Sequence, residues 1–154
     1  YADRKLWTPM HAEESALWSL DRKDGMEKAY CCFNSNARDF ARFGQLLLNN
    51  GQWDGQQLIS PAYLAEATSP DTRLVYKDLG KPNHCYGFQY WILDYKGMKI
   101  PYMRGILGQY VFTLPEKNAV IVRLGHKRSD TYTADQHYPD DINTWLDAAM
   151  DLLQ

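Results

Sequence analysis

Two runs, Gln109-Tyr-Val-Phe-Thr-Leu114 and Ala119-Val-Ile-Val-Arg-Leu124, constrain this chain more than any other feature. They flank Pro115-Glu-Lys-Asn118, which has the length and composition of a four-residue hairpin turn. A strand with one face in water alternates apolar and polar residues. These two are apolar at nearly every position, so both faces must be covered. Two helical patterns can supply the cover. Residues 37, 40, 41, 44, 47 and 48 recur at helical spacing over Ala37–Leu48. A final helix from Asp140 or Asp141 carries Ile142, Trp145, Leu146, Ala149, Leu152 and Leu153 along one stripe. The expected architecture is α+β, an antiparallel sheet packed by helices.

The rest of the chain is arranged around that unit. Residues 1–34 read as mostly irregular, with turn signals at Thr8-Pro9 and Lys23-Asp24-Gly25. Ser35 and Asn36 are good caps for the helix at 37–48, and Asn49-Asn50-Gly51 is a left-handed stop. A polar hairpin-like loop spans 51–57. Ser60-Pro61 opens a short helix to Ala67. Residues 69–84 read as a long surface loop. The aromatic run 86–95 reads as a strand that turns at Lys96-Gly97 into a second one at Met98–Tyr102.

Composition narrows the function classes. Hydrophobic residues make up 45% and charged residues 23% of 154, which fits one globular domain, 1–154, or a fragment of one. A net charge of −2 with scattered Lys and Arg gives no field for nucleic acid. No apolar run approaches the roughly 20 residues that span a bilayer. The chain opens abruptly at Tyr1 and is expected to begin at an imposed or processed boundary. Cys31, Cys32 and Cys85 form no disulfide framework, since adjacent cysteines rarely bond each other. Cys31 and Cys32 read as small apolar side chains rather than thiol nucleophiles. No metal-ligand spacing is present and no cofactor is expected.

No complete catalytic constellation is found. Gly-x-Ser-x-Gly, Ser-x-x-Lys, Tyr-x-Asn and Lys-Thr-Gly are all absent. One stretch still invites chemistry: Arg104-Gly-Ile-Leu-Gly-Gln109, directly before the hairpin. Its two glycines allow the backbone to pass close to another group, either a ligand or simply a neighbouring strand at a bend.

Four segments resemble, in order, the class C β-lactamase, penicillin-binding-protein and esterase superfamily, nylon-oligomer-hydrolase-like members above all. They are residues 108–125, residues 34–51, Leu6-Trp-Thr-Pro-Met10 with Trp18-Ser-Leu-Asp21, and Tyr86-Gly-Phe-Gln-Tyr-Trp91. The resemblance implies a C-terminal part of a serine hydrolase that splits an ester, amide or β-lactam through an acyl-enzyme. Its Ser-x-x-Lys and Tyr-x-Asn segments would lie upstream, so the chain alone would be inactive. Arg104-Gly105-Ile106 falls where the family carries Lys-Thr-Gly, and departs from it. The Ile106 N–H becomes the candidate second oxyanion donor, beside Gly105. Arg104 reads equally as a grip for a substrate carboxylate or as a surface residue. Cys32, Phe33 and Asn34 match the loop at the pocket mouth, with packing as the alternative. The resemblance leans to a periplasmic or secreted setting and leaves a cytoplasmic one open. A non-catalytic scaffold of the same fold is the alternative function, and self-association of an uncovered fragment is expected.

Other residues carry less. His84 beside Cys85 reads as a coincidence in a loop rather than a thiol pair, His126 as solvated. Arg38, Asp39 and Arg42 read as a polar helix face worth little energetically.

Overall fold

The computed structural model describes residues 1–77, 80–135 and 137–153. Its centre is a four-stranded antiparallel meander: β1 (Trp91–Tyr95), β2 (Met98–Arg104), β3 (Tyr110–Leu114) and β4 (Ala119–Arg123), paired in sequence order. Leu93 pairs with Ile100, Tyr102 with Phe112, and Phe112 with Ile121. The hairpin turn closes through Asn118 in the left-handed region, at φ 46°. Three helices accompany the sheet: α1 (Ala37–Leu48), α2 (Pro61–Ala67) and α3 (Asp141–Leu152).

Every residue of β3 is buried, as its composition requires, but β4, expected to be covered on both faces as well, lies at the sheet edge and is only half-buried along its length. Its alternate side chains serve two different layers. Tyr110, Phe112 and Leu114 join Leu93, Ile100, Tyr102, Ile142 and Leu146 in the main core, on the α3 side. Val111 faces α1, which lies close enough that a methyl on Gly44 would come within 3.0 Å of Val120. Gly44 therefore sets the spacing between helix and sheet. α1 starts where Asn36 accepts from the Asp39 N–H at 2.9 Å and ends with Asn50 and Gly51 at positive φ, as expected. The 51–57 loop is a ribbon of Gln52–Trp53 against Gln56–Gln57, turned by left-handed Asp54 and Gly55.

Several expectations need correcting. The strand expected over 86–95 begins only at Trp91. Residues 86–90 form a turn, with Gln89 at φ 63°, that docks on α2: the Phe88 N–H donates to Ala67 O at 2.9 Å. The second strand runs on to Arg104. The loop 69–84 holds a short ribbon, Val75–Tyr76 against Lys81–Pro82, while its residues 78–79 lie outside the described ones. Asn83 in that loop is buried, donating to Asp71 O and Tyr86 O and accepting from the Tyr86 N–H. The α3 stripe is narrower than expected: Ile142 and Leu146 are fully buried, but Trp145, Leu152 and Leu153 are exposed. Residues 1–34 include a helical turn at Asp3–Trp7 and a ribbon pairing Leu17–Trp18 with Phe33–Asn34.

The largest correction concerns Asp39, which is 0% exposed. Its carboxylate accepts from the Glu13 N–H at 2.8 Å, the Glu14 N–H at 3.1 Å, the Asn36 amide at 2.7 Å and Arg42 at 3.0 Å. Arg42 also donates to Met10 O and pairs with Glu13. Arg38 stays on an exposed polar face as expected, but Asp39 and Arg42 instead form a buried clasp between the N-terminal segment and α1. Helical periodicity alone places a polar residue outside; only the returning backbone at 13–14 makes this position interior.

Burial by itself would raise the Asp39 carboxyl. The two backbone N–H groups, Asn36 and the Arg42 charge outweigh it, and the carboxyl is held below its ordinary value of 3.8. A carboxyl lowered in the folded chain stabilises fully above its unfolded value and loses that effect as pH falls through the folded one. Asp39→Ala is expected to cost about 3 kcal/mol in urea unfolding at pH 7, since it strands two N–H groups and Arg42. The gap between variant and wild type should narrow below about pH 4.

Candidate functional site

The turn between β2 and β3 holds the candidate backbone donor. Gly105 donates to Gln109 O at 2.7 Å and so closes the turn. The Leu107 N–H donates to the Gln109 side-chain oxygen at 3.1 Å, and the Gly108 N–H points back to Gly105 O at 3.4 Å. Ile106 O accepts from Arg128 at 3.0 Å. Among the described residues no acceptor meets the Ile106 N–H. Ile106 is 81% exposed, so this turn stands at the surface. An N–H with no partner in a closed turn is available to an oxyanion.

Arg104, at the end of β2, is half-buried. Its guanidinium lies 3.3 Å from the Trp91 ring centroid and donates to His137 O at 3.0 Å. Trp91 in turn packs on Tyr86 and Tyr76. Stacking of this kind stabilises a desolvated cation. Burial pushes the neighbouring Tyr102 hydroxyl up, against the opposing Arg104 charge. Burial, then the Asp141 charge, pushes Tyr110 up to about 12. Both phenols stay neutral at physiological pH.

Cys32, Phe33 and Asn34 sit in the ribbon before α1. No hydrogen bond or ring contact among the described residues joins them to Arg104–Ile106. Phe33 is the hub of an aromatic cluster with Trp7, Trp18, Phe40 and Phe43. Asn34 is exposed and donates to Cys32 O. The cluster forms part of the wall of a groove of about 880 Å³, lined also by Leu6 and Met26. The reading of Cys31 and Cys32 as separate apolar side chains is overturned: they are bonded to each other. Cys32 adopts φ 72°, a conformation that a strand or helix pattern in sequence does not announce. The Cys31 and Cys32 carbonyls accept from the Trp18 indole and the Ser19 N–H, tying the pair to the ribbon.

Cys85 is 1% exposed, and burial raises its thiol against the Arg104 charge. That is the reverse of an activated nucleophile. The His84 ring lies between Pro82 O and Asp135 O rather than on Cys85, and His126 is exposed. No group of three or more His, Cys, Asp or Glu among the described residues could hold a metal. No helix among them is long and apolar enough to cross a membrane. Sequence reasoning missed Gln109, Arg123 and Arg128 around the turn. The only signal was their position within 22 residues of Ile106, in and just after the segment read as a hairpin.

No family model matches the chain. A 6-aminohexanoate-dimer hydrolase of Paenarthrobacter ureafaciens is 27% identical over 123 residues, which is 77% of this chain and 31% of that protein. The solved structure of a candidate 6-aminohexanoate-dimer hydrolase from Bacillus anthracis superposes with a TM-score of 0.72 at 25% identity, over 99% of this chain and 37% of that one. A candidate β-lactamase from Bacteroides dorei has a TM-score of 0.59 at 12% identity, over 96% of this chain and 49% of that one, and shows the fold alone. The chain thus spans about a third of the length of the hydrolases it matches. The α+β class and the hydrolase-like resemblance both hold.

Thiol counting checks the cysteine arrangement. The native chain is expected to give almost no reaction with a thiol reagent, one thiol after denaturation, and three after denaturation with a reductant.

Proposed function

We propose that this chain, which corresponds to a C-terminal part of a β-lactamase/nylon-oligomer-hydrolase-like protein, forms one wall of a serine-hydrolase active site. The nucleophile comes from a Ser-x-x-Lys segment outside these 154 residues, and a Tyr-x-Asn loop outside them helps to move protons. The serine attacks the carbonyl of a small ester, amide or β-lactam and forms an acyl-enzyme that water then resolves. Negative charge on the carbonyl oxygen is held by the serine's own N–H and by that of Ile106. Gly105, with no side chain, leaves room for the Gln109 side chain against the turn that carries that N–H. Arg104 grips a substrate carboxylate from its seat on Trp91, and Cys32, Phe33 and Asn34 line the pocket mouth.

The unpartnered Ile106 N–H in a closed turn is the observation that carries this reading. The 154 residues make one domain or part of one. The apolar groove beside Phe33 is a surface that the remainder of the hydrolase would cover.

Alone, the chain is expected to be inactive on a chromogenic acetate ester, while the longer product carrying Ser-x-x-Lys hydrolyses it. Activity of the 154-residue chain that persisted after replacement of every serine would sink the proposal. In the longer product, Ile106→Pro removes the donor and should lower kcat by about 100-fold or more, while Ile106→Val leaves it nearly unchanged. With its groove uncovered, the isolated chain is expected to self-associate; sedimentation velocity at rising concentration reads this directly.

A further inference from the structure

The turn that carries Ile106 is held by side chains from outside it, and each of them takes a backbone group other than the Ile106 N–H. Gln109 uses both ends of its amide. Its oxygen accepts from the Leu107 N–H at 3.1 Å, and its nitrogen donates to Gly125 O at 2.7 Å, just past β4. Arg123 on β4 donates to Gly108 O and, at 3.0 Å, to Lys127 O. Arg128 donates to Ile106 O at 3.0 Å and to Ser129 O at 2.8 Å.

The two glycines of the turn are fitted to these side chains. A methyl on Gly105 would come within 3.0 Å of the Gln109 amide. One on Gly108, which sits at φ 83°, would come within 3.0 Å of the Arg123 guanidinium. Each glycine thus makes room for one arm of the clamp.

We propose that Gln109, assisted by Arg123 and Arg128, is a positioning residue that fixes the 105–108 turn so that the Ile106 N–H remains its one uncommitted donor. This rests on the oxyanion reading above and deepens it: the specificity of the donor lies in the Gln109 amide, not in the isoleucine. A neutral amide is needed, because one residue must accept from Leu107 and donate to Gly125 together. A carboxylate can only accept and a thioether can do neither well. Gln109 touches no reacting atom in this scheme. It acts by keeping a donor within the few tenths of an ångström that oxyanion stabilisation demands.

Two measurements separate this proposal from the one it rests on. The first uses the 154-residue chain and needs no chemistry. After correction for intrinsic rates, the Leu107 amide should exchange with solvent about tenfold more slowly than that of Ile106, and Gln109→Met should abolish the difference. Equal exchange in the wild type would overturn the clamp whatever the protein catalyses. The second uses the longer product on a chromogenic ester. Gln109→Met and Gln109→Glu should lower kcat by about 10- to 100-fold with KM within about twofold, the signature of a contact used in the transition state. Unchanged kcat in both variants, alongside an inactive Ile106→Pro, would refute the clamp and leave the oxyanion reading standing. Full activity in all three would refute the oxyanion reading itself. Should Gln109→Met fail to fold, Arg128→Met tests the same turn from its other side and is expected to lower kcat about tenfold; no loss there would count against the proposal.

Discussion

The buried carboxylate of Asp39 joins the N-terminal segment to α1, beside the aromatic contacts that Trp7 and Phe33 make with Phe40 and Phe43. The first 34 residues form one helical turn and one two-residue ribbon, and they leave Leu17, Leu20, Met26 and Tyr30 exposed. A segment so poor in regular structure needs a fixed point. The Glu13 and Glu14 N–H groups find one in a charge inside the first turn of α1, where the helix dipole also favours an anion. Arg42 neutralises that charge and reaches on to Met10, itself fully buried. On the same helix Phe40 and Phe43 receive Phe33, and these rings form part of the wall of the apolar groove.

From α1 the constraint passes to the sheet. Gly44 lets the helix settle onto Val111 and Val120, and β3 is clasped between that helix and the core built with α3. A buried central strand is rigid: β3 pairs with β4 along its whole length and with β2 from Tyr110 to Phe112, and packing holds both of its faces. The candidate donor hangs from the first residue of this strand. The turn at 105–108 borrows the rigidity of β3 through Gln109 and that of β4 through Arg123, so an exposed isoleucine has a well-defined backbone beneath it.

The cysteines show a different balance. Composition favours treating Cys31, Cys32 and Cys85 alike, but the folded chain separates them. Cys85 lies in the interior behind Arg104, where burial keeps its thiol protonated. Cys31 and Cys32 bond to one another at a bend whose carbonyls are already engaged by Trp18 and Ser19. The bonded pair is adjacent in sequence and has Cys32 in the left-handed region, whereas Cys85 is buried and free.

The sequence by itself determined the elements whose signals are local. The all-apolar runs dictated a hairpin, though only β3 is buried throughout and the edge strand β4 is half-covered; the 3.6-residue period dictated α1, and Asn36, Ser60-Pro61 and Asn50-Gly51 marked helix ends because capping and left-handed turns depend on neighbouring residues alone. It also picked out Gly105 and Ile106, since a glycine pair at a strand edge is a local mark, and it carried enough resemblance to indicate a hydrolase-like relative. What only the tertiary structure decided are contacts between distant parts of the chain. Asp39 looks solvent-facing until residues 13 and 14 return over it, Arg104 is ambiguous until Trp91 comes beneath it, and Gln109 is one more strand residue until Gly125 arrives within reach. Hydrogen bonds and stacking between residues far apart in sequence leave no period to read, and in this protein they are what hold the 105–108 turn.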